Sequence, residues 1–236
     1  AAIWQAMVDM GWAGIALPDT VGGSGMGVGS AVPVFEALGG GLLGTPLLST
    51  TLAGQLIWRA SGESASEWLG RLCSGSVGTI AYLDHADWGA ANLGVTLGAD
   101  GALAGSKSFV ADAGVADCFA VVASEGDEPV LALVERSAIN DSAVSENVLI
   151  DLTKRAANVD FTGVTPAQVF RGDAVAAALR DTLLFGALLT AAETTGAAGK
   201  CLNSITEYLK TRKQFGKLIG SYQALKHPTV DIYVGM

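Results

Sequence analysis

A proline-free stretch near the C-terminal end most constrains the fold of this chain. From Asp173 to Arg212, about 40 residues, alanine and leucine dominate and proline is absent. A continuous helix of that length would extend about 60 Å. Gly186, Gly196 and Gly199 lie inside the stretch, and glycine weakens a helix, so we expect these positions to mark close packing against neighbouring helices.

The first 75 residues also carry helical patterns. Ile3, Met7 and Met10 recur at helical spacing, and Gly11 is expected to end that turn. Three further helices are predicted, at residues 31–38, 47–60 and 62–75.

The middle of the chain, from about residue 77 to 170, consists of short β-branched runs separated by turn residues. Several short strands at this spacing predict a small antiparallel barrel or sandwich. The runs are VGTIAYL, LGVTLG, ALAGSKSFVA, CFAVVAS, PVLALVE, NVLIDL and ANVDFTGV.

We therefore predict an α+β protein with three domains. They are an N-terminal helical domain (1–76), a middle antiparallel β-barrel domain (77–172) and a C-terminal helical bundle (173–236). Pro228 is expected to kink or end the last helix, about two turns after it begins. Because that helix stops at Met236 with one apolar face uncovered, we expect the natural chain to continue.

Composition excludes several classes of function. Half of the residues are hydrophobic and only 16% are charged, which favours a large core over disorder. The net charge of −9 argues against nucleic acid and anionic membranes as partners. No apolar run reaches the roughly 18 residues of a membrane span, and no secretory signal opens the chain. A cytoplasmic location is expected.

Cysteine and histidine give no metal-site pattern. Cys73, Cys118 and Cys201 are far apart and form no CxxC pair, so we interpret them as three buried, reduced thiols. His85 and His227 are the only histidines and no HExxH motif is present. No metal is predicted.

The segment YLKTRKQFGKLIGSYQALKH, residues 208–227, is the most specific motif. If it is helical, Arg212 and Phe215 share one face; Gly216 then turns the chain and Gln223 begins the next helix. A guanidinium, a ring and an amide together are suited to a dinucleotide, because arginine neutralises a pyrophosphate bidentately. The structural alternative is a basic helix end with a core phenylalanine.

This segment closely resembles the acyl-CoA dehydrogenase family, whose pattern is an aromatic residue, R-x-Q-F-G, a short loop and an F/Y-Q-A-x-x-H helix. The order of helices, β domain and helices is similar too. GWAGIALPDTVGGSGMG resembles the family's glycine-rich stretch, and AGSKSFVADAGVADCFAVVA resembles its G-x-K-x-W-I-T-N-A-x-x-A-D strand pair.

The resemblance implies FAD as cofactor, held mainly by a neighbouring subunit, with Arg212, Gln214, Phe215 and Gln223 as contacts. It implies α,β-dehydrogenation of an acyl-CoA, as in fatty acid β-oxidation: a glutamate removes the α-proton and the β-hydride goes to the flavin. Electron-transfer flavoprotein is the implied reoxidant. The implied assembly is a homo- or hetero-oligomer, a tetramer or dimer of dimers.

The flavin-facing strands depart from the family pattern. Where the family has A-L-T-E-P, this chain has AYLDH, so Leu83 replaces the threonine and Asp84 the glutamate. DWGAAN, residues 87–92, replaces G-S-D. Phe109-Val110-Ala111 replaces W-I-T/S: Phe109 can cover a flavin ring, whereas Ala111 offers no hydroxyl. Two missing hydroxyl donors, each contributing about 0.5–1.5 kcal/mol, lower the expected affinity by one or two orders of magnitude.

The catalytic base is unassigned. In most members of the family it lies in a C-terminal region beyond Met236; in a minority it lies on the long helix, at the position of Gly186. Glu193 is on that helix, but a glutamate on a helix face is usually structural. Three hypotheses remain: a complete dehydrogenase of lipid or sterol catabolism, a non-catalytic subunit that lends flavin contacts to a partner, and a structural homologue. DLTKRAANVDFTGV is similar to actinobacterial hetero-oligomeric members.

Overall fold

Four helices form the N-terminal part of the chain. The computed structural model describes residues 2–84 and 94–236. The helices, confirmed close to their predicted bounds, are α1 (Ala2–Asp9), α2 (Ala31–Gly41), α3 (Leu47–Ser61) and α4 (Ser66–Cys73). Gly11, with φ 74°, follows α1 as expected. Of the predicted apolar face only Met7 is buried; Ile3 and Met10 are exposed.

Nine strands lie in the described residues of the middle of the chain, 77–84 and 94–170. They are β1 (Gly78–Ala81), β2 (Thr96–Leu97), β3 (Leu103–Ala104), β4 (Ser106–Ala111), β5 (Cys118–Glu125), β6 (Glu128–Glu135), β7 (Val144–Glu146), β8 (Ala156–Asp160) and β9 (Gln168–Phe170). The predicted strand NVLIDL is wrong: residues 147–152 have no regular structure. Val148, Ile150 and Leu152 there are fully or almost fully exposed.

The strands form two open sheets, so the predicted antiparallel barrel is not confirmed. One sheet has the order β3-β2-β5-β6-β9, with β1 also beside β5, and the other has the order β4-β8-β7. Both β1 and β2 pair with β5 in parallel. Strand β5 is buried along nearly its whole length, so its sequence does not alternate. A strand covered on both faces carries no pattern from which pairing direction can be read.

Strand β5 separates two hydrophobic cores. Its Phe119 and Val121 point into a core shared with the second sheet, where Phe119 meets Phe161 edge to face at 5.9 Å between ring centroids. Its Ala120 and Val122 point into a core shared with α3 and α4. The first sheet is thus packed between helices and the second sheet.

The C-terminal part contains the predicted long helix. Helix α5 (Ala174–Thr211) has 38 residues, which confirms the expectation. A short hairpin follows, formed by β10 (Lys213–Gln214) and β11 (Lys217–Leu218). Helix α6 (Gln223–Gly235) continues through Pro228, so the proline does not end the helix, the second of the two predicted outcomes.

Glycines in α5 mark close contacts, as expected, at two of three positions. A Cβ on Gly196 would lie 1.8 Å from the carbonyl oxygen of Glu36 on α2. A Cβ on Gly186 would lie 3.1 Å from the Leu52 side chain on α3. At Gly199 the nearest atom is the flexible end of Met236, at an ordinary 3.4 Å.

The chain divides into two compact units, one containing residues 1–31 and 44–187 and the other residues 32–43 and 188–236. Helix α5 is long and apolar enough to cross a membrane by length and composition, although no span was predicted. A core helix of a soluble protein meets the same criterion, so this is weak evidence.

The prediction of three buried thiols holds only in part. Cys118 is buried, Cys73 is half-buried and Cys201 is exposed, and all three are free. Burial raises the pKa of Cys118 to about 12 and that of Cys73 to about 11, so both are protonated thiols at neutral pH.

Candidate cofactor site

The motif around Arg212 forms the β10–β11 hairpin in the second unit. Its two central residues, Phe215 and Gly216, have φ of 52° and 76°. Positive φ at both positions is typical of the tight two-residue turn that joins antiparallel strands. Because α5 ends at Thr211, the prediction that Arg212 and Phe215 share a helical face is wrong; they lie on the hairpin.

Local hydrogen bonds hold the hairpin against the start of α6. The Ile219 N–H donates to the carbonyl of Arg212 at 2.9 Å, and the Tyr222 hydroxyl donates to the carbonyl of Gln214 at 3.1 Å. Gln223 is the first residue of α6, as predicted. The backbone around the motif is therefore ordered by contacts within the motif itself.

The predicted cofactor side chains of this motif point outward. Arg212, Gln214, Phe215 and Gln223 are all exposed, and Phe215 is 92% exposed. An exposed aromatic ring at the end of an ordered turn is not a core residue, which argues against the structural alternative. The set presents a guanidinium, an apolar ring and two amides at the surface of this unit, where they are free to meet a ligand.

The other predicted cofactor residues lie on β4, in the first unit. The pairing of β4 with β8 shifts register between Lys107 and Val110, which is a β-bulge around Phe109. Phe109 has φ 49° and is 36% exposed, and its N–H donates to the Asn158 side-chain oxygen at 3.1 Å. Positive φ in an aromatic residue costs about 1–3 kcal/mol and is concentrated at ligand-contacting positions.

Val110 and Ala111 differ in what they can offer a cofactor. The Val110 side chain is buried in the β core, so only its backbone could reach a ligand. The Ala111 side chain is exposed, and its carbonyl accepts a hydrogen bond from the Thr79 hydroxyl at 2.6 Å. With the Phe109 N–H already used, this edge is poor in free donors.

The first predicted flavin strand ends beside β4. The carbonyl of Leu83 accepts a hydrogen bond from the Ser108 N–H at 2.7 Å, and the Leu83 side chain is half-buried. Leucine offers no hydroxyl here. The segment DWGAAN, residues 87–92, lies outside the described residues.

A buried ion pair at this edge was missed in the sequence. The Lys107 ammonium lies 2.5 Å from Asp84 Oδ1 and 3.3 Å from the carbonyl of Tyr82. Lys107 is fully buried and the Asp84 side chain is 6% exposed. Burial lowers the pKa of Lys107, while the bond to Asp84 opposes that shift. The feature of the sequence that could have indicated this ion pair is a lysine at a position of β4 whose side chain faces inward.

Neither position considered for the catalytic base, Gly186 or Glu193, forms a further candidate site. Gly186 has no side chain and packs on Leu52. Glu193 is half-buried in the second unit, where its carbonyl lies against Gly39 of α2. Among residues 2–84 and 94–236, no group of three or more His, Cys, Asp or Glu side chains could hold a metal ion.

Family models match both ends of the chain. Residues 1–76 match the N-terminal domain of acyl-CoA dehydrogenases, and residues 176–236 match the C-terminal domain. The chain belongs to the acyl-CoA dehydrogenase family. The C-terminal match covers nearly all of α5, so this helix is part of the family's C-terminal domain.

Among curated relatives, acyl-CoA dehydrogenase IpdE2 of Mycolicibacterium smegmatis is 32% identical over 234 residues, covering 98% of this chain and 61% of the relative. The chain thus spans about three fifths of the length of the curated acyl-CoA dehydrogenases that it matches.

Two solved structures are similar over 99% of this chain and 64% of theirs. A Tcur3481-Tcur3483 steroid ACAD variant has 29% identity and a TM-score of 0.84. The ChsE4-ChsE5 complex of Mycobacterium tuberculosis has 28% identity and a TM-score of 0.80.

Proposed function

We propose that this chain is one subunit of a hetero-oligomeric, FAD-dependent acyl-CoA dehydrogenase, and that it lends flavin contacts to its partner. The contacts are Arg212, Gln214, Phe215 and Gln223. The proposed reaction is α,β-dehydrogenation of an acyl-CoA thioester in lipid or sterol side-chain breakdown. Electron-transfer flavoprotein is the proposed reoxidant, and a tetramer or dimer of dimers the proposed assembly.

The difference between the two candidate flavin-contacting segments, the hairpin and the β4 edge, carries this proposal. The hairpin is ordered, and its guanidinium, ring and amides are exposed. The β4 edge keeps an exposed aromatic ring at Phe109 but lacks hydroxyl donors at Leu83 and Ala111. A chain that only lends contacts needs the hairpin and not the β4 edge.

Each exposed side chain has a definite role toward FAD. Arg212 can neutralise the pyrophosphate with paired N–H donors, which a lysine cannot do. Phe215 can pack on a ring system, and Gln214 and Gln223 can donate or accept hydrogen bonds. The bound flavin supplies hydride acceptance, while the protein positions it. The β4 edge fits the same cofactor less well, because its donors are fewer.

Two similar structures support the hetero-oligomeric form. ChsE4-ChsE5 is described as a complex, and Tcur3481-Tcur3483 carries two protein names. Both are similar along nearly the whole of this chain. They support an assembly of two different chains and, because Tcur3481-Tcur3483 is a steroid ACAD, a steroid-type acyl-CoA as the substrate.

A second candidate function is a complete dehydrogenase that binds its own FAD. The strained, exposed Phe109 on the β4 bulge favours it, because such a conformation is kept where it serves a ligand. In that case the remaining donors to the flavin come from the backbone.

Purification of the full-length protein with and without its candidate partner separates these functions. We expect the chain alone to show little visible flavin absorbance and no acyl-CoA dehydrogenation, and both to appear in the co-purified complex. Full flavin occupancy of the isolated chain, bleached by an acyl-CoA, would support the complete enzyme. Absence of flavin in every preparation would contradict both.

A further inference from the structure

Lys107 lies at the junction of the two segments assigned to the flavin-facing edge. It is fully buried, and its ammonium contacts Asp84 Oδ1 at 2.5 Å and the carbonyl of Tyr82 at 3.3 Å. The next residue, Ser108, donates its N–H to Leu83 at 2.7 Å. Two adjacent residues of β4 therefore bind the three consecutive residues, 82–84, that directly follow β1.

The contacts of Lys107 come directly before the β4 bulge. The register shift begins after Lys107, and Phe109 takes its positive φ two residues later. The bulge is closed on the other side by the bond from the Phe109 N–H to Asn158. Lys107 and Phe109 are thus fixed on the two sides of the same bulge.

A buried ion pair is a costly way to stabilise a fold. Apolar side chains of similar volume are often equal or better for stability, whereas a charged pair fixes one geometry. The backbone of Gly94 also approaches Asp84 closely, since a Cβ added to Gly94 would lie 3.1 Å from the Asp84 Cβ. Geometry, rather than stability, is what this pair supplies.

We propose that Lys107 is a positioning residue: through Asp84 and Tyr82 it locks the end of the first strand to the β4 bulge, so that Leu83, Phe109 and Ala111 form one rigid cofactor-facing edge. This role rests on the second candidate function proposed above, in which the chain binds its own FAD, because it concerns presentation of this edge to flavin. It assigns no proton transfer to Lys107.

The test replaces both charges together, since Lys107→Met alone would leave a buried, unpaired carboxylate and could unfold the protein. We expect the K107M/D84A variant of the full chain to stay folded by far-ultraviolet circular dichroism. In the flavin-containing preparation we expect its FAD dissociation constant to rise about tenfold and the visible circular dichroism of bound flavin to change. Asp84→Glu, which keeps the carboxylate, should retain the wild-type spectrum.

The matched control is R71M/E135A, which removes another ion pair of the same unit, with N–O distances of 2.5 and 2.9 Å. It should change the unfolding temperature but neither flavin affinity nor spectrum. An equal flavin effect in the control, or an unchanged flavin spectrum in folded K107M/D84A, overturns the positioning role.

Hydrogen exchange of the flavin-free chain separates this inference from the proposed function. We expect the Ser108 amide to exchange faster in K107M/D84A than in wild type, and unchanged exchange would show that the two segments are not coupled. If wild type binds no flavin even with a partner, the proposed function fails. The positioning role toward flavin then falls with it, even if Ser108 exchange shows coupling.

Discussion

Leu83 and Ala111 carry the clearest chemical departures of this chain from the family pattern. Neither side chain has a hydroxyl. The backbone carbonyls are nevertheless hydrogen-bonded: that of Leu83 accepts from the Ser108 N–H, and that of Ala111 accepts from the Thr79 hydroxyl. This edge therefore lacks side-chain hydroxyl donors at both positions, while the backbone carbonyls there are hydrogen-bonded.

Restoring the hydroxyls should restore affinity. We expect L83T/A111T to bind FAD about tenfold to a hundredfold more tightly than wild type, because each added hydrogen bond contributes about 0.5–1.5 kcal/mol. Fluorescence titration of flavin with the isolated chain measures this. The L83V/A111V variant has the same side-chain shapes without hydroxyls, so an equal gain there would show that shape, not hydrogen bonding, is responsible.

Removing the guanidinium of the hairpin should have the opposite effect. We expect Arg212→Ala to weaken FAD binding by the complex by about 1.5–3 kcal/mol, because a charged donor at a pyrophosphate is worth more than a neutral one. The FAD affinity of Arg212→Lys should lie between those of wild type and Arg212→Ala, since lysine keeps the charge but not the paired donors.

The matched control for Arg212 is Arg180→Ala, which removes an exposed arginine that pairs with its neighbour Asp181 on the same helix. Equilibrium dialysis of FAD compares the three variants. If Arg212→Ala retains wild-type flavin content and reduction rate, its cofactor role is wrong.

At the scale of elements, the hairpin and the long helix are both defined by glycines. Gly216 has φ 76°, and a Cβ added there would meet no atom within 4 Å, so its constraint is conformational. Gly196 has ordinary helical geometry but lies against the backbone of α2, so its constraint is steric.

Substitution at the turn should therefore loosen the hairpin. We expect Gly216→Ala to cost the hairpin about 1–2 kcal/mol, because alanine disfavours the left-handed region. FAD affinity of the complex should fall about tenfold with little change in unfolding temperature. Gly29→Ala is the control, since a Cβ there also meets no atom within 4 Å and its φ is not positive. Equal affinities in the two variants would contradict a role for the turn.

Substitution in the long helix should act on stability instead. We expect Gly196→Ala to destabilise the second unit by about 1–3 kcal/mol, because the new Cβ would clash with the Glu36 carbonyl. Gly199→Ala, one turn further along α5, should be neutral or add up to about 1 kcal/mol of helix stability. Thermal unfolding compares them, and equal effects would contradict the close contact.

Element type was predictable here, and element pairing was not. Helix α5 and the first four helices follow from apolar spacing and from the positions of glycine and proline. The parallel pairing of β1 and β2 with β5 did not follow, because β5 is buried on both faces and shows no alternation.

The candidate site was predictable to a similar extent. Arg212 and Phe215 were identified by their motif, but their place on a hairpin depends on where α5 ends. Lys107 was missed, because burial of a charge depends on a partner 23 residues away.

At the scale of the whole molecule, flavin stoichiometry would distinguish the two proposed uses of this chain. If this chain lends the hairpin but binds no flavin of its own, we expect one FAD per pair of unlike chains. If it is a complete enzyme, we expect one FAD per chain. Absorbance of released flavin against protein concentration by amino-acid analysis measures the ratio in the purified complex.

The self-contained bonding at residues 83 and 111 also bears on how such a chain can evolve. Because the carbonyls of both residues accept hydrogen bonds from other residues, exchanging a hydroxyl side chain for leucine or alanine at these positions would leave those backbone bonds in place and affect folding little. Once a gene duplicate supplies a working flavin pocket, one copy can drift at these positions while its hairpin stays under selection through the other. The division of labour between two genes would then be hard to reverse, because either copy alone would have to regain several changes together.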